Sequence, residues 1–178
     1  MIFVSGPRQI GKTTLAKQIL GPAQADRYLN WDIDDDRVRI LKGEFPLESG
    51  ILVLDEIHKY RQWRRLLKGL FDQRGEELQI LVTGSARLDH YRYGGDSLQG
   101  RYHFHRLHPL SVAELKLRTE KQLRELMLFG GFPEPYFLKD PIEVRRFSNQ
   151  YRSRVIRDEA KCFGLVFSTI RKRGSDII

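Results

Sequence analysis

An α/β fold, a parallel sheet covered by helices on both faces, is what this sequence predicts. Three observations predict it. Short apolar runs of strand length recur through the first 110 residues, amphipathic helical stretches separate them, and a glycine-bearing turn joins the first run to the first helix. At 178 residues the chain is long enough for one such domain with a core and a small helical appendage, and too short for two full domains.

The strand candidates are "MIFVSG", "RYLNWD", "GILVLDE", "LQILVTGS" and "RYHFHRLHPL". Unbroken apolar stretches such as "ILVL" suit central parallel strands, which are covered on both faces and so need no polar alternation. Between them "KTTLAKQIL" reads as a helix stopped by Gly21 and Pro22, and "DDDRVRILKG" as a second. "HKYRQWRRLLKGLFDQRG" is the third, with Trp63, Leu66, Leu67, Leu70 and Phe71 forming one apolar stripe to lay on the sheet. After Leu110 the strands cease. "SVAEL" offers a capping box, Ser111 with Glu114, and the helical rhythm is expected to continue through "EKQLRELMLF" until "GGFPEP" breaks it. "PIEVRRFSNQYRSRVIRDEA" is a further amphipathic helix carrying Val144, Phe147, Tyr151 and Val155. The expected division is a nucleotide-handling core over 1–110, a helical extension over 111–160 serving as partial lid or linker, and an unassigned tail over 161–178.

Composition narrows the class. No apolar run approaches the roughly 18–20 residues that cross a bilayer, so no membrane partner is expected. The apolar start without a basic leader argues against a secretory signal. The single cysteine, Cys162, excludes an internal disulfide framework and fits a cytoplasmic setting. A net charge of +8 favours polyanionic partners, nucleotide or nucleic acid. Much of that excess lies in "VRRFSNQYRSRVIRDEAK" and "IRKRGSD", a candidate nucleic-acid contact.

"GPRQIGKT", Gly6 to Thr13, satisfies the full Walker A pattern of Gly, four residues, then Gly-Lys-Thr. A chain of this length shows it by chance in roughly one case in a hundred, given ordinary residue frequencies. The glycines let several backbone N–H groups turn toward one anion, and the helix opening at Lys12 adds its positive end. Gly6, Pro7, Arg8, Gln9, Ile10, Gly11, Lys12, Thr13 and Thr14 are therefore the expected nucleotide contacts. Lys12 reaches the β- and γ-phosphates, and the Thr13 hydroxyl ligates magnesium. The cofactors this implies are ATP and Mg2+.

A cradle alone only binds. "ILVLDE", Ile51 to Glu56, supplies the second half: a buried strand delivers Asp55 toward the metal, and Glu56 stands next to it to orient and deprotonate an attacking water. Adjacent acids mark the division of P-loop NTPases that carry their own catalytic glutamate, with a five-stranded parallel sheet in a three-layer α/β/α sandwich ordered 5-1-4-3-2. The fourth strand then sets "TGSAR" beside the γ-phosphate, where Ser85 or Thr83 holds the attacking water. Arg101, after the glycine-rich "YGGDSLQG", is the candidate arginine finger, acting on its own nucleotide or on that of a neighbouring subunit.

"GPRQIGKTTL", "ILVLDEIHKYRQWRRLLKGLFD", "ILVTGSARLDHYRYGGDSLQGRYHFHRLHPLSVAEL" and "GGFPEP" together resemble the predicted prokaryotic AAA+ ATPases whose second half is a separate domain of unknown function. The resemblance covers roughly the first 160 residues. It implies an AAA+ type core that binds and hydrolyses ATP, a candidate homo-oligomer, and no particular target. Members of that family carry residues before the cradle strand and continue well beyond "GGFPEP", so this chain is expected to be shorter than they are at both ends. Its tail "CFGLVFSTIRKRGSDII" does not match their continuation.

Three other readings compete with this one. A nucleotide-gated DNA-binding or regulatory module with little turnover is supported by the basic C-terminal helix. "DEIH", Asp55 to His58, invites comparison with helicases of the Asp-Glu-x-His type, but Gln9 stands where their cradle has glycine. In that segment His58 is expected near the surface. "HFHRLH" places His103 and His105 on one strand face without His108, and no cysteine or carboxylate nearby completes a tetrahedral metal site.

Overall fold

A computed structural model of the chain describes residues 1–46, 48–75, 77–85, 88, 98 and 100–162. Ala86 and Arg87 of "TGSAR", the glycine-rich stretch at 93–97 and the tail from 163 onward lie outside the described residues. The chain divides into two compact units, Met1–Glu114 and Leu115–Ile178.

The first unit holds five strands: β1 (Ile2–Ser5), β2 (Tyr28–Asn30), β3 (Gly50–Asp55), β4 (Leu78–Gly84) and β5 (His103–Arg106). Their order is β2-β3-β4-β1-β5 and every pairing is parallel. This is the predicted 5-1-4-3-2 order read from the other edge, and the α/β class of a P-loop NTPase. Helix α1 (Lys12–Leu20) follows β1, α2 (Asp34–Lys42) follows β2, and α3 (Trp63–Arg74) follows β3 after a short 3-10 turn, Ile57–Lys59.

Period-two alternation divides the core between the two sheet faces. Phe3, Leu52 and Leu54 join Ile40 of α2 and Trp63, Leu67 and Leu70 of α3 in one cluster. Val4, Val53 and Leu81 join Ala16 and Leu20 of α1 in the other. Leu29, Leu52 and Leu54 are fully buried, each contributing about 1.5–3 kcal/mol by leaving water. Asp34, Asp35 and Asp36 fill the first turn of α2, where its positive end favours them, and Gly43 closes it in the left-handed region at φ 73°. Register then brings the ends of three neighbouring strands to one edge, with Ser5 opposite Gly84 and Asp55 opposite Thr83. That carboxyl edge is where open parallel sheets bind ligands.

In the second unit, α4 (Glu120–Phe129), α5 (Pro133–Leu138) and α6 (Pro141–Cys162) follow one another. The Ser111–Glu114 box forms, with the carboxylate accepting from Ser111 N and Oγ at 2.8 Å each, but it closes a turn and not a helix. Lys116, at φ 51°, interrupts helical propagation there. The helix begins at Glu120, under a reciprocal capping box between Thr119 and Gln122 that the sequence reading passed over. As expected, "GGFPEP" ends that helix: Gly130 closes it at φ 77°, its N–H donating to the Leu126 carbonyl at 2.9 Å. Pro133 at the first helical position starts α5, because its fixed φ and missing N–H suit that place. Phe132 packs on Phe147 and Tyr151 of α6, ring centres 5.3 and 4.9 Å away.

Candidate functional site

Residues 6–11 turn from the end of β1 into α1, and Lys12 opens that helix. Gly6 lies so close to β5's exit that a Cβ there would meet the Leu107 carbonyl oxygen at 2.6 Å. Gln9 at φ 62° and Gly11 at φ 99° are both left-handed, which folds the loop into a concave turn; for Gln9 that conformation costs about 1–2 kcal/mol. Ile10 is buried and anchors the loop, whereas Arg8, Gln9, Thr13 and Thr14 are exposed. Lys12 is itself buried, and its ammonium closes the loop by donating to the Gly6 and Pro7 carbonyls at 3.0 and 2.7 Å. Burial lowers its pKa from the usual lysine value; the nearby charges of Glu56 and Asp55 oppose that shift, and Arg8 adds to it.

Asp55, only 2% exposed at the end of β3, is the hub. Its Oδ2 accepts from Thr13 Oγ1 at 2.8 Å and from the Tyr28 hydroxyl at 2.6 Å, and its Oδ1 from Thr83 Oγ1 at 2.6 Å. Helix α1 and strands β2, β3 and β4 are thus tied at a single carboxylate. Tyr28 has its pKa pushed up, first by burial and then by its bond to Asp55, so the phenol remains a neutral donor.

Glu56 follows in the left-handed region at φ 57°, its N–H donating to the Thr83 carbonyl at 2.9 Å. Its Oε2 lies 3.1 Å from Lys59 Nζ and 3.7 Å from His58 Nε2. Lys59 also donates to Asp32 Oδ2 at 2.5 Å. Burial alone would lower the Lys59 pKa, but the Asp32 bond and the Glu56 charge outweigh it, so the net shift is upward. Ser85 Oγ and His58 Nε2 are 3.3 Å apart. The imidazole is buried against Gly84, where an added Cβ would stand 2.7 Å from Nδ1. The expectation that His58 lies near the surface is corrected: the 3-10 turn after β3 tucks its ring under the end of β4.

The AAA domain model matches residues 1–116 of this chain. The chain belongs to the AAA domain family. It therefore carries an ATPase-like nucleotide-binding domain, and its parallel strand order is that of the P-loop NTPase fold. An uncharacterized protein of Mycobacterium bovis and one of Mycobacterium tuberculosis are similar, each 27% identical over 138 residues covering 76% of this chain. The match spans only 30% of each relative's length.

Within this AAA domain, cradle residues Gly6 to Thr13 sit at the carboxyl edge of the sheet beside Asp55, Glu56 and Ser85. Arg101 does not. It precedes β5, whose first residue pairs with Ile2, at the opposite end of the sheet, and its Nε is 3.4 Å from Asp72 Oδ1. The oxygens of Thr13 and Asp55 are hard donors of the kind magnesium accepts. Among the described residues no three His, Cys, Asp or Glu side chains gather as a metal cluster, so His103, His105 and His108 form none. Nor is any described helix long and apolar enough to cross a membrane. Tyr28, Asp32 and Lys59 carry no site signal in the sequence, and His58 reads there as a surface residue. Their partners lie on other elements or in a tight turn, and only "DEIHK" carried any local hint of them.

Proposed function

We propose that this AAA domain binds ATP with Mg2+ at residues 6–14 and hydrolyses it. The observation that carries the reading is the 2.8 Å bond from Thr13 Oγ1 to Asp55 Oδ2, which unites the two residues a phosphate-bound magnesium needs, 42 positions apart in sequence. Thr13 and Asp55 would hold the ion, which supplies charge neutralisation at the phosphate oxygens. Lys12 exchanges the Gly6 and Pro7 carbonyls for β- and γ-phosphate oxygens. Glu56 takes the proton of a water whose oxygen bonds to the γ-phosphorus as the bond to the ADP oxygen breaks. Ser85 is assigned to hold that water, a reading supported by its place just past the end of β4, with Oγ 3.3 Å from His58 Nε2.

Arg101 is assigned to the nucleotide of a second copy, a reading supported by its distance from its own cradle. The helical extension is assigned as lid or linker. A cytoplasmic setting is supported by the lone Cys162. A second reading, nucleotide-gated binding of nucleic acid, has one supporting observation: Arg145, Arg146, Arg152 and Arg154 are exposed on α6.

The test is Mg-ATP binding and phosphate release by the purified chain beside Lys12→Ala and Glu56→Gln. Lys12→Ala is expected to lose binding, and Glu56→Gln to bind without turnover. Full turnover by Glu56→Gln would sink the assignment of the base. DNA binding that falls steeply with salt, without phosphate release, would favour the second reading.

A further inference from the structure

Tyr28 was not expected at the site, yet it reaches it from two residues back along the sheet. Strand pairing sets Tyr28 beside Val53, and the ring runs forward under α1 to bring its hydroxyl to Asp55. The ring packs against the cluster of Val4, Ala16, Leu20, Val53 and Leu81, with the Lys17 ammonium 5.0 Å from its centre. Nothing in that apolar seat requires a phenol; a phenylalanine would fill it equally well. The hydroxyl therefore has its consequence at the carboxylate.

An ionised carboxylate offers about four lone-pair positions, two on each oxygen. Thr13 and Tyr28 take both on Oδ2, and Thr83 takes one on Oδ1. One position remains, on Oδ1. We propose that Tyr28 is a positioning residue that sets the metal preference of the site, because its hydroxyl denies Asp55 the second oxygen it needs to chelate an ion bidentately. Magnesium requires six ligands at about 2.0–2.1 Å, takes few protein carboxylates and keeps several waters; calcium takes 6–8 oxygens at about 2.3–2.6 Å and readily uses both oxygens of one carboxylate. A carboxylate with a single open position on one oxygen suits the first ion and withholds from the second the bidentate contact it readily uses. Thr83 is not equivalent. Removing its hydroxyl opens a second position on Oδ1 but leaves Oδ2 filled, so chelation stays closed.

This inference rests on the reading of Thr13 and Asp55 as the metal residues, and the experiment separates the two. A fluorescent ATP analogue is titrated into the parent chain, Tyr28→Phe and Thr83→Val, with Mg2+ or Ca2+ as the sole divalent ion and circular dichroism as the check on folding. The parent is expected to bind more tightly with Mg2+. Tyr28→Phe should narrow the Mg2+/Ca2+ affinity ratio by about fivefold or more, chiefly through stronger binding with Ca2+, while Thr83→Val weakens both ions alike. A ratio for Tyr28→Phe within about twofold of the parent's would overturn the Tyr28 assignment alone. So would equal narrowing by Thr83→Val, which would mark general loosening of Asp55. Absence of binding by the folded parent with either ion would bring down the nucleotide reading, and the Tyr28 assignment with it.

Discussion

Replacing Asp55 by alanine tests whether the hub is a structural element or exists only for its ligand. Three hydroxyls lose their acceptor at once. Thr83, at 1% exposure, has no access to water, so its orphaned hydroxyl costs about 1–3 kcal/mol. Thr13 is exposed and Tyr28 half-buried, so each can turn to solvent at a loss of about 0.5–1.5 kcal/mol. The gross cost is about 2–6 kcal/mol. Against it stands the desolvation of the carboxylate, several kcal/mol per buried ion, which alanine relieves. Because every hydroxyl here points its proton at the carboxylate, the bonds should win, leaving a net loss of about 2 kcal/mol. Asp55→Asn keeps the volume and one carbonyl acceptor for Thr83, and should lose about half as much. Urea unfolding of the nucleotide-free chain, followed by tryptophan fluorescence, reads this directly. Both tryptophans, Trp31 and Trp63, lie in the first unit, so the signal follows the domain that carries the mutation. With a urea slope of about 2 kcal/mol/M, the alanine midpoint should fall by about 1 M and the asparagine midpoint by about half that. An alanine variant as stable as the parent, or more so, would refute the reasoning: the desolvation cost would then exceed all three bonds.

Two further outcomes follow from the geometry. Gly84→Ala sets a Cβ 2.2 Å from Leu88 Cδ1 and 2.7 Å from His58 Nδ1; the leucine tip can yield, but the enclosed imidazole cannot. Overpacking should cost about 1–3 kcal/mol in the same urea assay and displace His58 from Ser85 and Glu56, lowering phosphate release more than nucleotide affinity; unchanged stability and turnover would show the seat is not tight. Lys12 gives a pH signature. With its folded pKa below the unfolded lysine value, the unfolded chain binds more protons between the two, so parent stability gains a rising increment as pH climbs through the folded pKa toward 10.5. Lys12→Met lacks that increment, and its stability relative to the parent should decline over that window. A constant difference up to pH 10.5 would mean that Lys12 is not penalised by its burial.

Legibility from sequence followed the range of each interaction. The loop from Gly6 to Thr13 was legible because it is built of consecutive residues between β1 and α1. Asp55 and Glu56 were plain because a four-residue apolar run can only end at the sheet's edge. Strand order was legible through the motif class alone. Tyr28 was not: "RYLN" reads as an ordinary strand, and nothing local says that its ring will run forward under α1 to a carboxylate 27 positions away. Asp32 and Lys59 are each unremarkable surface charges until the turn after β3 brings them within bonding distance. Helix starts at 111–120 were misread because Ser111–Glu114 and Thr119–Gln122 are both well-formed capping pairs. Only the left-handed Lys116 between them decides which one opens a helix.

Each of the candidate reacting groups already has an internal partner. The Lys12 ammonium sits on two loop carbonyls, Asp55 on three hydroxyls, and Glu56 against Lys59 and His58. On the proposed reading, nucleotide binding is an exchange in which Lys12 gives up bonds of 3.0 and 2.7 Å for phosphate contacts, and measured affinity would report only the difference. The three groups are not equally ready to exchange. Asp55 is enclosed at 2% exposure and bonded from three elements, so it remains a fixed point. Glu56 is held at one oxygen by a lysine that also has Asp32, and its backbone sits in the strained left-handed region at φ 57°. Asp55 is therefore the more tightly held of the two acids, and Glu56 the less. On the proposed reading, this arrangement lets Glu56 activate a water for attack on the γ-phosphorus only after the phosphates have been fixed.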